Sequence, residues 1–224
     1  MARSIGSWWI KDGIDGRRVE AQGFASLLDT LPGYDWTVDK GDSGVVKKDF
    51  VETANYTEQV DTVDAMQMSS HGSPNGFSVW GGSVTTSDTI DFGKGDLEIF
   101  ASHACKVLEH TAANPVGRWC HAFSRLHYWC GFHTNSYSGG GQSGRGQYFA
   151  MYAAWYHAVI PWMAQYPVRE AWRLANVMVE GSDVRWAYLR ATGSGADTYN
   201  ELLTPSEPSD PTTNRTFWTN NGSC

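Results

Sequence analysis

"MQMSSHGSPNG" at residues 66–76 and "LEIFASHAC" at residues 97–105 are two short apolar runs, and each stops on a side chain suited to nucleophilic catalysis. The first ends on His71-Gly72 and the second on Ala104-Cys105. Residues 63–70 and 97–104 have strand length and a nearly continuous apolar character, the pattern of strands buried on both faces of a parallel sheet. Functional groups in such sheets gather at the carboxyl ends of the strands, where loops approach a ligand over a rigid base. The two strands are therefore expected to be parallel neighbours that bring His71 and Cys105 together.

Working outward, the segments alternate between strand and helix. Residues 4–10 read as a strand. Residues 18–31 follow with Phe24, Leu27, Leu28 and Leu31 at helical spacing, and Pro32-Gly33 ends that helix. Residues 35–39 form a second short strand. The stretch 76–82, followed by "TTSD", reads as a hairpin or loop insertion between the two quoted strands. Asn114 is a candidate N-cap before Pro115, with Val116, Trp119, Cys120, Phe123 and Leu126 forming one apolar stripe and Cys120 in the core. Strand 127–134, the glycine-rich 136–147, helices over 148–160 and 167–180, and strand 184–191 complete the series. The pattern predicts an α/β fold, a three-layer α-β-α sandwich with a mainly parallel sheet and helices on both faces. Residues 1–203 form one domain, and 204–224, with three prolines and little periodicity, form an irregular C-terminal extension.

The chain has 224 residues, 41% hydrophobic and 18% charged, enough for one sizeable core. A net charge of -7 without a basic cluster offers no footprint for nucleic acid or anionic lipid. No apolar run reaches membrane-spanning length, and the start lacks a secretory signal, so a soluble, cytoplasmic protein is expected. Four irregularly spaced cysteines, Cys105, Cys120, Cys130 and Cys224, read as free thiols. The 11 tryptophans are the compositional oddity, and core packing is their first explanation.

A cysteine nucleophile needs a base or cation nearby to populate its thiolate. The oxyanion that develops on an acyl substrate needs backbone N–H donors. Gly72 has no side chain to obstruct its N–H, so the N–H groups of Gly72 and Cys105 are the natural oxyanion donors. A hydrophobic strand ending in His-Gly, a spacer, and a second strand ending in Ala-Cys resembles the signature of the clan of cysteine peptidases that contains caspases, metacaspases, legumains, gingipains, separases and CHAT domains. The order of later segments is similar to CHAT-like members, and the overall pattern resembles a bacterial caspase-like family known mainly as a domain of unknown function. The resemblance implies a caspase/haemoglobinase-like sandwich, a His71/Cys105 dyad without an obligatory third member, no cofactor and no metal, and a peptide or amide-containing substrate. It also implies substrate-binding roles for His103, two residues before the nucleophile, and for the acidic loop residues Asp12 and Asp15, which in several clan members would select a basic side chain. One departure is that Lys106 follows the cysteine where caspases and legumains carry Gly or Ser soon after.

Three other readings compete. A metal site built from His71, His103, Cys105 and His110 lacks the usual local ligand pairs. A non-catalytic interaction or carbohydrate-binding module would use exposed tryptophans. An amide ligase, cyclase or tailoring enzyme would run on the same dyad, since an amine can capture the same thioacyl intermediate.

Overall fold

Strand β1 (Arg3–Trp9), helix α1 (Gly16–Leu28) and strand β2 (Tyr34–Gly41) open the chain in the order that periodicity predicts. In this computed structural model, residues 2–51, 59–110, 114–160, 162–206 and 208–224 are described. Strands β3 (Ala65–Ser69), β4 (Gly72–Ser73), β5 (Gly76–Val79), β6 (Gly82–Thr85) and β7 (Ile99–His103) follow, then helix α2 (Pro115–Trp119) and strand β8 (Tyr128–Phe132). Helix α3 (Arg145–Ala150) runs through a π-turn (Met151–Trp155) into α4 (Tyr156–Val159). Helix α5 (Val168–Val177) and strands β9 (Arg185–Thr192) and β10 (Thr216–Ser223) end the series.

Among the described residues the main sheet has the order β10-β9-β8-β7-β3-β1-β2. Strands β2, β1, β3, β7 and β8 run parallel to one another, β9 pairs antiparallel with β8, and β10 antiparallel with β9. The two quoted strands are parallel neighbours as expected, with Ser69 opposite His103. The chain leaves β1 toward one edge to form β2, then crosses back to place β3 on the other side of β1. This reversal opens a crevice at the carboxyl ends of β1 and β3, the place where open α/β sheets bind ligands.

Side chains alternate between two cores. Ala65, Ile99, Ala101, Tyr128, Cys130 and Phe132 face a layer of α1, α3 and α5, packing with Phe24, Phe149 and Trp172. Met66, Met68, Phe100 and Trp129 face the opposite layer. That second layer departs from the expected sandwich, because it is not a row of long helices. It consists of the small antiparallel sheet β4-β5-β6, the short α2 and several loops, which contribute Phe77, Val84, Phe92 and Trp119. The 70–98 connection is punctuated by glycines and alternates over two to four residues, so it closes into hairpins and never sustains a 3.6-residue period. Aromatic edges fill the layer, with the Trp119 and Trp129 centroids 4.6 Å apart.

Two sequence expectations are corrected here. Asn114 does cap α2, its side chain accepting from the Val116 N–H at 3.0 Å, but the helix lasts only five residues before a tight turn over Cys120–Ala122. Phe123 and Leu126 reach the core from the following loop, where the N–H groups of residues 124–126 converge on the Phe92 carbonyl, and Cys120 is half-buried. The C-terminal extension is irregular only in part: residues 216–223 form the edge strand β10, paired antiparallel along the whole of β9. An edge strand buries one weak face, so Phe217 carries almost the only apolar signal. No helix among the described residues is long and apolar enough to cross a membrane.

Candidate active site

The register that aligns Trp9 with Ser69 and Ser69 with His103 brings three loops to one end of the sheet. They carry Asp12, His71-Gly72 and Ala104-Cys105 respectively. The Asp12 loop is a tight turn in which the Ile14 N–H bonds the Lys11 carbonyl at 2.8 Å and Asp12 and Gly13 have positive φ. Gly72 lies directly on the second strand end. A methyl group on its Cα would stand 2.7 Å from the Ala104 Cβ and 2.7 Å from the Cys105 carbonyl oxygen, so only glycine allows this approach. The chain then turns sharply after the cysteine, with Lys106 at φ 59° and its N–H bonded to the Thr134 carbonyl. The departure noted at Lys106 thus falls where the backbone is left-handed, a conformation glycine adopts without the cost a side chain incurs.

Cys105 is half-buried and held by the loop after β8. Its Sγ lies 3.4 Å from the Ser136 carbonyl oxygen and accepts from the Ser136 N–H at 3.4 Å. His71 is half-exposed, and its Nε2 is 3.0 Å from Asp12 Oδ2. Arg17, from the first turn of α1, donates from Nη1 to the carbonyls of Ile10 and Lys11 at 3.0 and 3.2 Å. Its Nη2 stands 2.9 Å from each ring nitrogen of His71, and only the nitrogen without a proton can accept. An open hollow of about 310 Å³ flanks His71, lined by Gly72, Ser73, Asn75, Phe77 and Ser83.

Asp15 is not part of this arrangement. It is 93% exposed, pairs with Lys11 at 3.4 Å, and lines a separate hollow over α1. His103 is placed beneath the site and does not line the hollow: it is 3% exposed, with Nδ1 2.6 Å from Glu20 Oε2 and 2.6 Å from Arg145 Nη1. Arg145 also donates to Glu20 Oε1 at 2.9 Å, to Glu180 and to the Tyr137 carbonyl. Glu180 accepts the Tyr137 N–H at 2.9 Å, so the network anchors the loop that positions Ser136 on the thiol. Burial opposes the Glu20 charge, but Arg145 and His103 outweigh it and hold that carboxyl below its usual range. The glycine-rich 138–146 stretch packs against α1, with Gly146 lying directly on the Glu20 carbonyl.

His110 sits elsewhere, with Nε2 2.9 Å from Thr219 Oγ1 and its ring edge-on to His133. His71, His103, Cys105 and His110 therefore do not assemble as a metal site. Among the described residues the one group with clustered ligand atoms is Asp64, Asp96 and Glu98, at the opposite end of the sheet, where Arg3 pairs with Glu98 at 3.0 Å. Five of the 11 tryptophans, Trp8, Trp119, Trp129, Trp172 and Trp186, are buried in the core, and the exposed Trp80, Trp162 and Trp218 come from three separate parts of the chain.

The sequence reading missed Arg17, Glu20, Ser136, Arg145 and Glu180. One signal was available: residues 17, 20, 21 and 24 share one face of α1, so Arg17 and Glu20 are charges on an apolar stripe, whereas Arg18 is exposed and bonds Gln22.

Burial, reinforced by the charge of Arg145, brings the His103 imidazole down to about 4. The unfolded chain then takes up a proton below about 6.5 that the folded chain refuses until about 4. Wild type should therefore lose roughly 3 kcal/mol relative to His103→Gln as the pH falls through this window, with the contribution fully present above it. Asp61 and Glu98, which burial raises to about 6 and about 8, act in the opposite sense but are common to both proteins and cancel in the difference. Urea unfolding of both proteins at the two ends of the window checks this, and a flat difference would refute a neutral His103.

The model of one protein family, a domain of unknown function (DUF6345), matches residues 4–222, from β1 through β10. No curated protein and no solved structure matches the chain. The chain belongs to the DUF6345 family.

Proposed function

We propose that this DUF6345 chain is a cysteine-dependent acyl-transfer enzyme of the caspase-like kind, cleaving or transferring a peptide or amide acyl group through a thioester on Cys105. The observation that carries this reading is the packing of His71-Gly72 against Ala104-Cys105 at the carboxyl ends of two neighbouring parallel strands. In the proposed mechanism His71 takes the thiol proton, and the sulfur attacks the substrate carbonyl carbon. The tetrahedral oxyanion is received by the N–H groups of Gly72 and Cys105. The C–N bond then breaks, His71 gives its proton to the leaving amine, and the acyl group stays on sulfur. Water or a second amine then attacks the thioester carbon and loses a proton to His71, the C–S bond breaks to release the acid or new amide, and His71 returns the proton to the Cys105 sulfur. Asp12, 3.0 Å from Nε2, would orient the ring as an addition to the dyad.

Limiting iodoacetamide, with the labelled thiol mapped by mass spectrometry, tests the premise. Cys105 should be modified ahead of Cys120, Cys130 and Cys224, and His71→Ala should slow that labelling. Cys130 is fully buried, and burial pushes the Cys224 thiol up to about 11, so neither should compete at neutral pH. Preferential labelling of Cys120 would overturn the proposal.

A further inference from the structure

We propose that residues 193–215, the irregular segment joining β9 to β10, form a pH-sensitive strap that the imidazolium of His127 holds closed against the amino end of the main sheet. His127 immediately precedes β8 and is fully buried. Its backbone is fixed on both sides, its N–H donating to the Glu98 carbonyl at 2.9 Å and its carbonyl accepting from the Ala191 N–H at 3.0 Å. Two carboxylates reach its ring, and both belong to the strap: Glu201 Oε2 lies 2.8 Å from Nδ1, and Asp210 Oδ1 lies 3.5 Å from Nε2. A neutral imidazole carries one N–H, so one of its nitrogens would turn a lone pair toward a carboxylate, whereas the imidazolium presents an N–H to each. Nε2 makes no hydrogen bond, so its ion pair with Asp210 is what compensates that side of the buried ring.

The other charges around this ring have partners of their own. Glu98 pairs with Arg3 at 3.0 Å beside Asp64, Asp210 is shared with Arg125 at 3.6 Å, and Arg190 of β9 donates to Thr198 of the strap at 3.3 Å. Burial opposes the charge on His127, but Glu201, through its hydrogen bond and its charge, together with Glu98 and Asp210, outweighs burial and holds the imidazole above its ordinary 6.5. The clasp is therefore complete below about 6.5 and is lost as the pH rises through the raised value of the folded protein. Other side-chain anchors of the strap keep their charge state through neutrality: the Tyr128 and Tyr34 hydroxyls donate to the Thr198 and Leu203 carbonyls at 2.6 Å each, and Arg3 donates to the Thr204 carbonyl at 3.1 Å. The strap also encloses a hollow of about 380 Å³ lined by its own residues, Asp197, Asn200, Thr204 and Ser206 among them. A segment with so little packing behind it can open locally while the sheet stays folded.

The test is backbone hydrogen exchange, read by mass spectrometry on peptides from the strap and from β3 and β7, in wild type and His127→Gln at about pH 6 and about pH 9. Comparing the two proteins at the same pH cancels the intrinsic exchange rate and the titration of Glu98, which both share. At the lower pH the strap of His127→Gln should exchange about tenfold faster than that of wild type, the ratio that one unit of difference in proton affinity produces. At the higher pH the ratio should shrink toward one, and β3 and β7 should be protected equally in both proteins. Equal strap exchange at the lower pH, or a ratio that is the same at both pH values, would overturn the proposal, the second result leaving His127 as a packing residue only. Should His127→Gln not fold, an NMR titration of the His127 ring in wild type and in Asp210→Asn decides in its place. The ring should titrate above 6.5 in wild type and lower in Asp210→Asn, and a ring already neutral at about pH 6 in wild type, or unmoved by Asp210→Asn, would overturn the clasp.

Discussion

Cys105→Ala is expected to abolish both turnover and the trapping of an acyl adduct from a library of peptide-like amides, while the protein still folds. The thiol is half-buried at a strand end, and its polar partners are the backbone and hydroxyl of Ser136, so its loss removes little packing. A stability change of about 1 kcal/mol is the expected scale for such a truncation. His71→Ala should reduce the rate by about 10²–10⁴, the usual worth of a positioned proton carrier. The two variants acting together should cost little more than Cys105→Ala alone, because a base without its nucleophile has nothing to deprotonate. Single-turnover assays with mass-spectrometric detection of the adduct would measure this, and full activity without Cys105 would end the thioester mechanism.

Arg145→Met should destabilise the fold by about 3–5 kcal/mol, the cost of leaving a buried charge without its partner. That is a large share of the roughly 5–15 kcal/mol that holds a typical domain together. Arg145 is fully buried between Glu20 and Glu180, so its removal strands two carboxylates in an environment that already disfavours Glu180 ionisation. Adding Glu20→Gln and Glu180→Gln to Arg145→Met should recover much of the loss, since the remaining groups are then neutral. The expected order under urea unfolding is wild type, triple variant, single variant. A single variant within 1 kcal/mol of wild type would show that water or a rearranged side chain compensates Arg145, and the network would no longer explain how the Ser136 loop is held.

The strands at residues 63–70 and 97–104, the helix ending before Pro32-Gly33 and the placement of His71 and Cys105 at strand ends were all legible in the sequence. Each rests on local periodicity and on glycine and proline punctuation, which a few neighbouring residues encode. Adjacency of the two strands followed from the rule that parallel strands present their functional loops at one end. The irregular cover on the Met66–Trp129 face, the edge strand β10 and the displacement of Asp15 from the site were decided by tertiary structure. So were the role of Gly146 as a seat for α1, the hold of Ser136 on the thiol, and the burial of His103 among Glu20 and Arg145. Arg145 meets Glu20 across a sequence separation of 125 residues. No local pattern records such a partner, because the energy of a buried charge depends on which opposite charge the fold brings within hydrogen-bond distance and on how completely water is excluded around the pair.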